Sequence, residues 1–99
     1  MQFLGKPSKS RSWKYYITIL NNQKLIFYKN EDDRKHLKEA GPPINLKRTS
    51  IQKATDYTKK DFVIRIMTPS PDLSEYLLDV GTKAKFELWF RTLQARAAM

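Results

Sequence analysis

Four cations stand near the start of the chain with no acid among them: Lys6, Lys9, Arg11 and Lys14. Gly5, Pro7 and three serines separate them and mark a turn that ends at Ser12, just before Trp13. A charge run is usually a solvated surface, but nothing in this one neutralises it. Phosphates are held by Arg forks and Lys point charges that converge from several directions. One segment rarely supplies enough of them. A second basic segment, Asp56-Tyr57-Thr58-Lys59-Lys60-Asp61, offers Lys59 and Lys60 beside Tyr57. Lys47, Arg48, Lys53, Lys83 and Lys85 read as solvated faces that add to the long-range field, and Arg65 as an outward residue of a strand.

Other chemistries find little support. His36 is the single histidine and sits in a charged segment; there is no cysteine and no Gly-rich phosphate loop. Asp32 and Asp33 stand beside Arg34 and Lys35, and no carboxylates are spaced as metal ligands. The expectation is a protein that is not an enzyme and uses no cofactor or metal.

The chain has 99 residues, enough for one domain over 1–99, which we expect to be excised from a larger protein. Hydrophobic content of 40% and aromatic content of 12% allow a modest core. A formal charge of +9 suits anionic partners: nucleic acid, an acidic protein or an anionic membrane surface. The lack of cysteine excludes a disulfide frame and fits a reducing compartment. No apolar run approaches the ~20 residues that span a bilayer. The N-terminus also lacks the long apolar stretch of a signal peptide.

These residues must be positioned by short strands and one helix. Strands are expected at Gln2 to Leu4, Trp13 to Leu20, Lys24 to Lys29, Ile44 to Leu46, Ile51 to Ala54, Phe62 to Met67 and Glu75 to Val80. Asn21-Asn22 marks a hairpin turn. Asn30 to Pro43 reads as an exposed loop with one helical turn near Arg34 to Glu39. Pro69-Ser70-Pro71-Asp72 is a turn. Phe86, Trp89, Phe90, Leu93 and Ala97 recur at helical spacing, so a helix from about Thr82 to Ala97 closes the chain, with Thr82 as N-cap and Trp89 buried.

That order resembles a pleckstrin homology (PH) domain over nearly the whole chain. Trp89 matches the Trp in the middle of the family's closing helix. Ser10-Arg11-Ser12-Trp13-Lys14, Tyr16, Asn21-Asn22-Gln23 and Phe27-Tyr28-Lys29 resemble the second and third strands of the β-spectrin type. Asp56-Tyr57-Thr58-Lys59-Lys60 resembles the same type between its fifth and sixth strands. The implied fold is mainly β: a seven-stranded antiparallel barrel of two near-orthogonal sheets capped by one C-terminal α-helix.

The resemblance implies a lipid headgroup site at Lys6, Arg11, Ser12, Trp13, Tyr57 and Lys59, supported by Lys9, Lys14 and Lys60. Its ligand would be phosphatidylinositol 4,5-bisphosphate or inositol trisphosphate, on an anionic membrane surface. Lys14-Tyr15-Tyr16 lacks the Arg that tight binders carry at the third position, which argues for modest, salt-sensitive binding. Pro7 falls where the β-spectrin type has a contacting Lys, and Lys6 is the substitute. The expected role is to help anchor a larger cytoskeletal or signalling protein, cytoplasmic and peripheral at the inner face of the plasma membrane. The alternative is a PH-fold protein-interaction domain with weak or no lipid specificity, using a strand edge or the helix flank. Nucleic-acid binding through the aromatics and cations of Trp13 to Tyr16 ranks last.

Overall fold

A computed structural model describes residues 2–4, 14–55, 61–69 and 75–99. Among them are eight strands and two helices. In chain order these are β1 (Gln2–Leu4), β2 (Lys14–Tyr15), β3 (Ile17–Asn21), β4 (Lys24–Tyr28), α1 (Glu31–Lys35), β5 (Ile44–Asn45), β6 (Ser50–Lys53), β7 (Val63–Met67), β8 (Glu75–Asp79) and α2 (Lys83–Ala97). One sheet has five strands in the order β2-β1-β8-β7-β6, and the other has three in the order β3-β4-β5. Every pairing is antiparallel.

The expected closed barrel is not formed. The long second strand divides at Tyr16: among the described residues β2 pairs with β1, whereas β3 pairs with β4 alone. At the other side β5 ends after two residues. Leu46 and Thr49 then form a turn, with Thr49 N–H donating to Leu46 O at 3.1 Å and Arg48 at φ 62°, before β6 enters the larger sheet. The sheets are thus joined at two corners by chain rather than by ladder hydrogen bonds among the described residues. This division also turns the expected seven strands into eight.

The sheets face one another across a core of Leu25, Phe27, Ile44, Leu46, Ile51, Ile64, Ile66, Leu78 and Val80, closed by Leu93 of α2. The alternation of β7 is clear: Ile64 and Ile66 point inward, and Arg65 lies on the other face. Along residues 15–20 the inward set is Tyr16 and Leu20, both packed on the core, while Tyr15 is 65% exposed. Asn21↔Lys24 closes the β3–β4 hairpin, and Asn22 takes the positive φ of 54° that such a turn requires.

α2 starts where Gly81 (φ 90°) turns the chain and Thr82 accepts the Lys85 N–H at 3.2 Å. Its face of Phe86, Trp89, Phe90 and Ala97 is only partly buried, and Leu93 is the residue with no exposure. Trp89, expected to be buried, therefore keeps part of its surface in solvent. A large ring packed at the margin of a small core commonly does so. α1 lies one turn earlier than expected, because Asn30 accepts the Asp33 N–H at 2.8 Å and Glu31, Asp32 and Asp33 favour a helix start.

Candidate functional site

α2 covers one end of the sandwich. Phe62 and Phe86 rings lie 6.4 Å apart near its start. At its C-terminus Arg96 Nη1 donates to Asn22 O at 2.6 Å. A separate cleft of about 190 Å³ is lined, among the described residues, by Tyr16, Phe27, Ile44, Tyr76 and residues 40–43. Its origin is local. Ala40 N–H donates to Phe27 O at 2.7 Å, but Pro42 and Pro43 have no N–H with which to follow β4. Pairing resumes only at Ile44, opposite Leu25. Phe27 stays covered by Tyr16, at 5.9 Å between ring centroids.

A second feature runs between β6 and α2. Ala54 N–H donates to Val63 O at 3.0 Å, in register with the β6–β7 ladder. Antiparallel alternation then turns the backbone of Ser50 and Gln52 toward β7 and that of Ile51 and Lys53 away from it. Lys53 O accepts the Thr55 N–H at 2.9 Å. Along this edge lies a shallow groove of about 280 Å³ lined by Thr49, Ile51, Gln94, Ala97 and Ala98. Lys53 Nζ sits 5.6 Å from the Phe86 ring centroid, at one end of the contact between β6 and α2.

Of the expected headgroup residues and their supporting cations, only Lys14 is described; it is exposed on β2. Lys6, Lys9, Arg11, Ser12, Trp13, Tyr57, Lys59 and Lys60 lie outside the described residues. Their flanks attach at different ends of the larger sheet. Leu4 and Lys14 belong to the end that carries Leu77 and Glu75, whereas Thr55 and Asp61 adjoin the end that carries Val63 and Asp79. Arg65, read as an outward residue, is half-buried with its Nε 2.9 Å from Glu75 Oε2. That contact is a charge contact rather than an aligned hydrogen bond.

On α1, the hydrogen bond from Arg34, helped by its charge and that of Lys35, holds the Glu31 carboxyl below the ordinary carboxylate value. The same pair raises Arg34. Among the described residues no cluster of His, Asp and Glu could hold a metal.

The aromatic cleft was not legible as a site, since Gly41-Pro42-Pro43 read only as the end of a loop. The pair of prolines carried the signal: a segment without N–H groups cannot complete a sheet, so a gap is left beside its neighbour.

A PH domain family match covers residues 1–98. The chain is similar to the spectrin beta chain of Drosophila melanogaster, at 27% identity over 96 residues that make up 93% of this chain. It is also similar to the human spectrin beta chain, non-erythrocytic 4, at 27% identity over 95% of this chain. In each case it spans about 4% of the relative's length. Among solved structures, the PH domain of human pleckstrin homology domain-containing protein family A member 5 superposes with a TM-score of 0.77 at 19% identity. That match covers 100% of this chain and 75% of the other.

Proposed function

The chain belongs to the PH domain family, and from that premise we propose that it takes an extended segment of a partner protein along the groove between β6 and α2. A PH-fold module of this kind serves membrane or protein interaction and is not an enzyme. The observation that carries the proposal is the outward backbone of Ile51 and the outward N–H of Lys53 on β6, an edge strand among the described residues, next to a groove lined by Ile51 and Ala97. Strand addition uses such backbone groups for affinity and adjacent pockets for specificity. Similarity to the two spectrin chains supports a parent protein of the cytoskeleton.

The test is a peptide selected from a random library against the folded domain and mapped by amide chemical shifts. Shifts should concentrate at residues 50–53 and 94–98. Lys53→Pro removes an outward N–H and keeps the Gln52 N–H that faces β7. With Lys53→Ala as the control for side-chain loss, Lys53→Pro should weaken binding by about tenfold or more. Equal binding by Lys53→Pro and Lys53→Ala, both folded, overturns the strand-addition reading.

The charge of +9 and the acid-free run from Lys6 to Lys14 favour a second reading. Here the ligand is an anionic lipid such as phosphatidylinositol 4,5-bisphosphate. Lys6, Arg11, Ser12, Trp13, Tyr57 and Lys59 would hold its headgroup, with Lys9, Lys14 and Lys60 adding attraction. Each well-placed cation contributes roughly 1 kcal/mol at an anionic leaflet. This reading places the domain peripherally at the inner face of the plasma membrane.

A further inference from the structure

We infer that the outer face of the smaller sheet docks an amphipathic helix of a partner protein, whose acidic end enters a polar hollow at the β3–β4 turn. This surface is built from β3, β4 and β5 and stands independently of the β6–α2 groove.

Register and alternation put Ile17, Ile19 and Asn21 of β3 on one face with Tyr28, Ile26 and Lys24 of β4, paired in that order. The core takes the other set, Leu20, Leu25 and Phe27, together with Ile44 of β5. Ile17, Ile19 and Ile26 each keep part of their surface in solvent. Tyr28, at the end where α1 packs on β4, is buried. A sheet face turned to water ordinarily carries polar residues. Here three isoleucines form an apolar strip instead. From Ile17 to Asn21 it runs roughly 13 Å, and its three strands span roughly 10 Å. A helix is about 10 Å wide, and two to three of its turns cover that length. Packing a helix stripe on a sheet face is the ordinary way to bury both.

Beyond Ile19 and Ile26 the strip meets a hollow of about 360 Å³ lined, among the described residues, by Asn21, Asn22, Gln23, Lys24 and Asn45. Three of its carbonyl oxygens already accept hydrogen bonds. Asn22 O accepts from Arg96 Nη1 at 2.6 Å, Gln23 O from the Leu46 N–H at 2.7 Å, and Asn45 Oδ1 from the Lys47 N–H at 3.0 Å. The last bond fixes the Asn45 amide and leaves its Nδ2 group to donate. Lys24 is exposed beside it. Residues 14–30 and 40–55, which include all three strands and the turn at Lys47 and Arg48, contain no acid. Donors and a cation together suit a carboxylate.

The charges are polarised along the strip. Lys24 marks the turn end, whereas α1 follows Tyr28 with Glu31, Asp32 and Asp33, of which Glu31 is held by Arg34 at 2.7 Å. An anionic leaflet or a nucleic acid spread over this face would meet those acids as well as Lys24. A second copy would bring another +9. The strip also covers only on the order of 200 Å², whereas a stable dimer needs about 800 Å² from each partner. A short helix with acids at its N-terminal end alone fits both ends of the strip. Carboxylates stabilise that end of a helix, and here they would meet Lys24.

The probe is the end-blocked peptide Asp-Glu-Glu-Leu-Ala-Gln-Leu-Leu-Ala-Gln-Leu-Gln, titrated into the isotope-labelled domain. Amide shifts are expected at Ile17, Ile19, Lys24, Ile26 and Asn45. Replacing the peptide's acids by Gln, or its Leu residues by Gln, should each weaken binding about tenfold or more. The gap between the acidic and Gln-ended peptides should narrow as salt rises. Ile19→Thr combined with Ile26→Thr keeps β-branched residues in both strands, so the variant should fold and lose the peptide. Lys24→Glu should weaken binding about tenfold or more. Lys83→Glu, of the same net charge but on α2, should have little effect. Lys53→Pro should leave this peptide's binding unchanged, which separates the site from the β6–α2 groove. Equal affinity of the acidic and Gln-ended peptides, equal loss in Lys24→Glu and Lys83→Glu, or shifts confined to other residues overturns the proposal. So does a concentration-dependent dimer whose shifts fall on Ile17, Ile19 and Ile26, which would assign the face to a second copy. Shifts of these residues with phosphatidylserine vesicles in the absence of peptide binding would assign it to a membrane and overturn the proposal equally.

Discussion

Gln23 and Arg96 hold each other across the molecule. Gln23 Nε2 donates to Arg96 O at 2.9 Å, while Arg96 Nη1 donates to Asn22 O at 2.6 Å. The last carbonyls of a helix have no partner within it. Here the turn of the β3–β4 hairpin supplies one, and the Arg96 cation lies where the helix dipole is negative. Gln23 also reaches Met99 O at 3.3 Å. The smaller sheet is thereby tied to α2, whose start is fixed separately by the Thr82 cap next to the larger sheet.

Because the two donors act on one contact, their losses should not add. Gln23→Ala and Arg96→Ala should each destabilise the domain by about 1–2 kcal/mol. The double variant should cost less than the sum by roughly 0.5 kcal/mol or more. Urea titrations of the four proteins measure this. Strict additivity would mean that the two residues act separately.

Leu93 rather than Trp89 should be the more costly truncation of α2. Leu93 has no exposure and closes the core, so Leu93→Ala should cost about 3–5 kcal/mol. Trp89 is only partly buried, which puts Trp89→Ala near the low end of its class, at about 3 kcal/mol or less. Thermal or denaturant unfolding of the two variants decides the order, and a larger loss at Trp89 would reverse the assignment of the core.

The helix, its Thr82 cap and the strands that carry Ile64, Ile66 and Leu78 were readable because periodicity reports element type and which face is apolar. Tyr15 and Tyr16 show where that reasoning stops. Both suit a strand, and alternation puts them on opposite faces without saying which face meets the core: Tyr16 packs on Phe27 and Tyr15 is exposed. Whether sheets close into a barrel depends in the same way on pairing partners far apart in sequence, which alternation cannot specify. The two basic segments were legible as charge. Their convergence was an inference from resemblance, and the register attaches the flanks of Lys6 to Trp13 and of Tyr57 to Lys60 at different ends of the larger sheet.

Acid should loosen α1 before the core. Arg34 holds the Glu31 carboxyl below its ordinary value of 4.5, so the folded state favours the ionised form. The stabilisation is present above that ordinary value and is lost as pH falls through the lower folded one. Arg34→Ala removes the hydrogen bond and should return Glu31 toward ordinary titration. Carbon-detected titration of the Glu31 carboxyl in both proteins gives the answer; an unchanged midpoint would show that Arg34 is not its cause.

The lipid reading can be separated from diffuse attraction by two variants of equal charge. Lys59→Glu places an acid in the second basic segment, whereas Lys83→Glu places one at the start of α2. Lys83 is a safe control because the first turn of α2 has no acid and carries Lys83 and Lys85 against the positive end of the helix dipole. Lys83→Glu should therefore stabilise the fold by about 0.3–1 kcal/mol. Vesicle binding is measured with and without phosphatidylinositol 4,5-bisphosphate at low and physiological salt. If Lys59 contacts a headgroup, Lys59→Glu should lower affinity sharply and Lys83→Glu only slightly. A general field would lower both alike, since long-range attraction follows net charge rather than position. Equal loss in two folded variants would remove Tyr57, Lys59 and Lys60 from any headgroup site and leave only screened, non-specific attraction to the membrane.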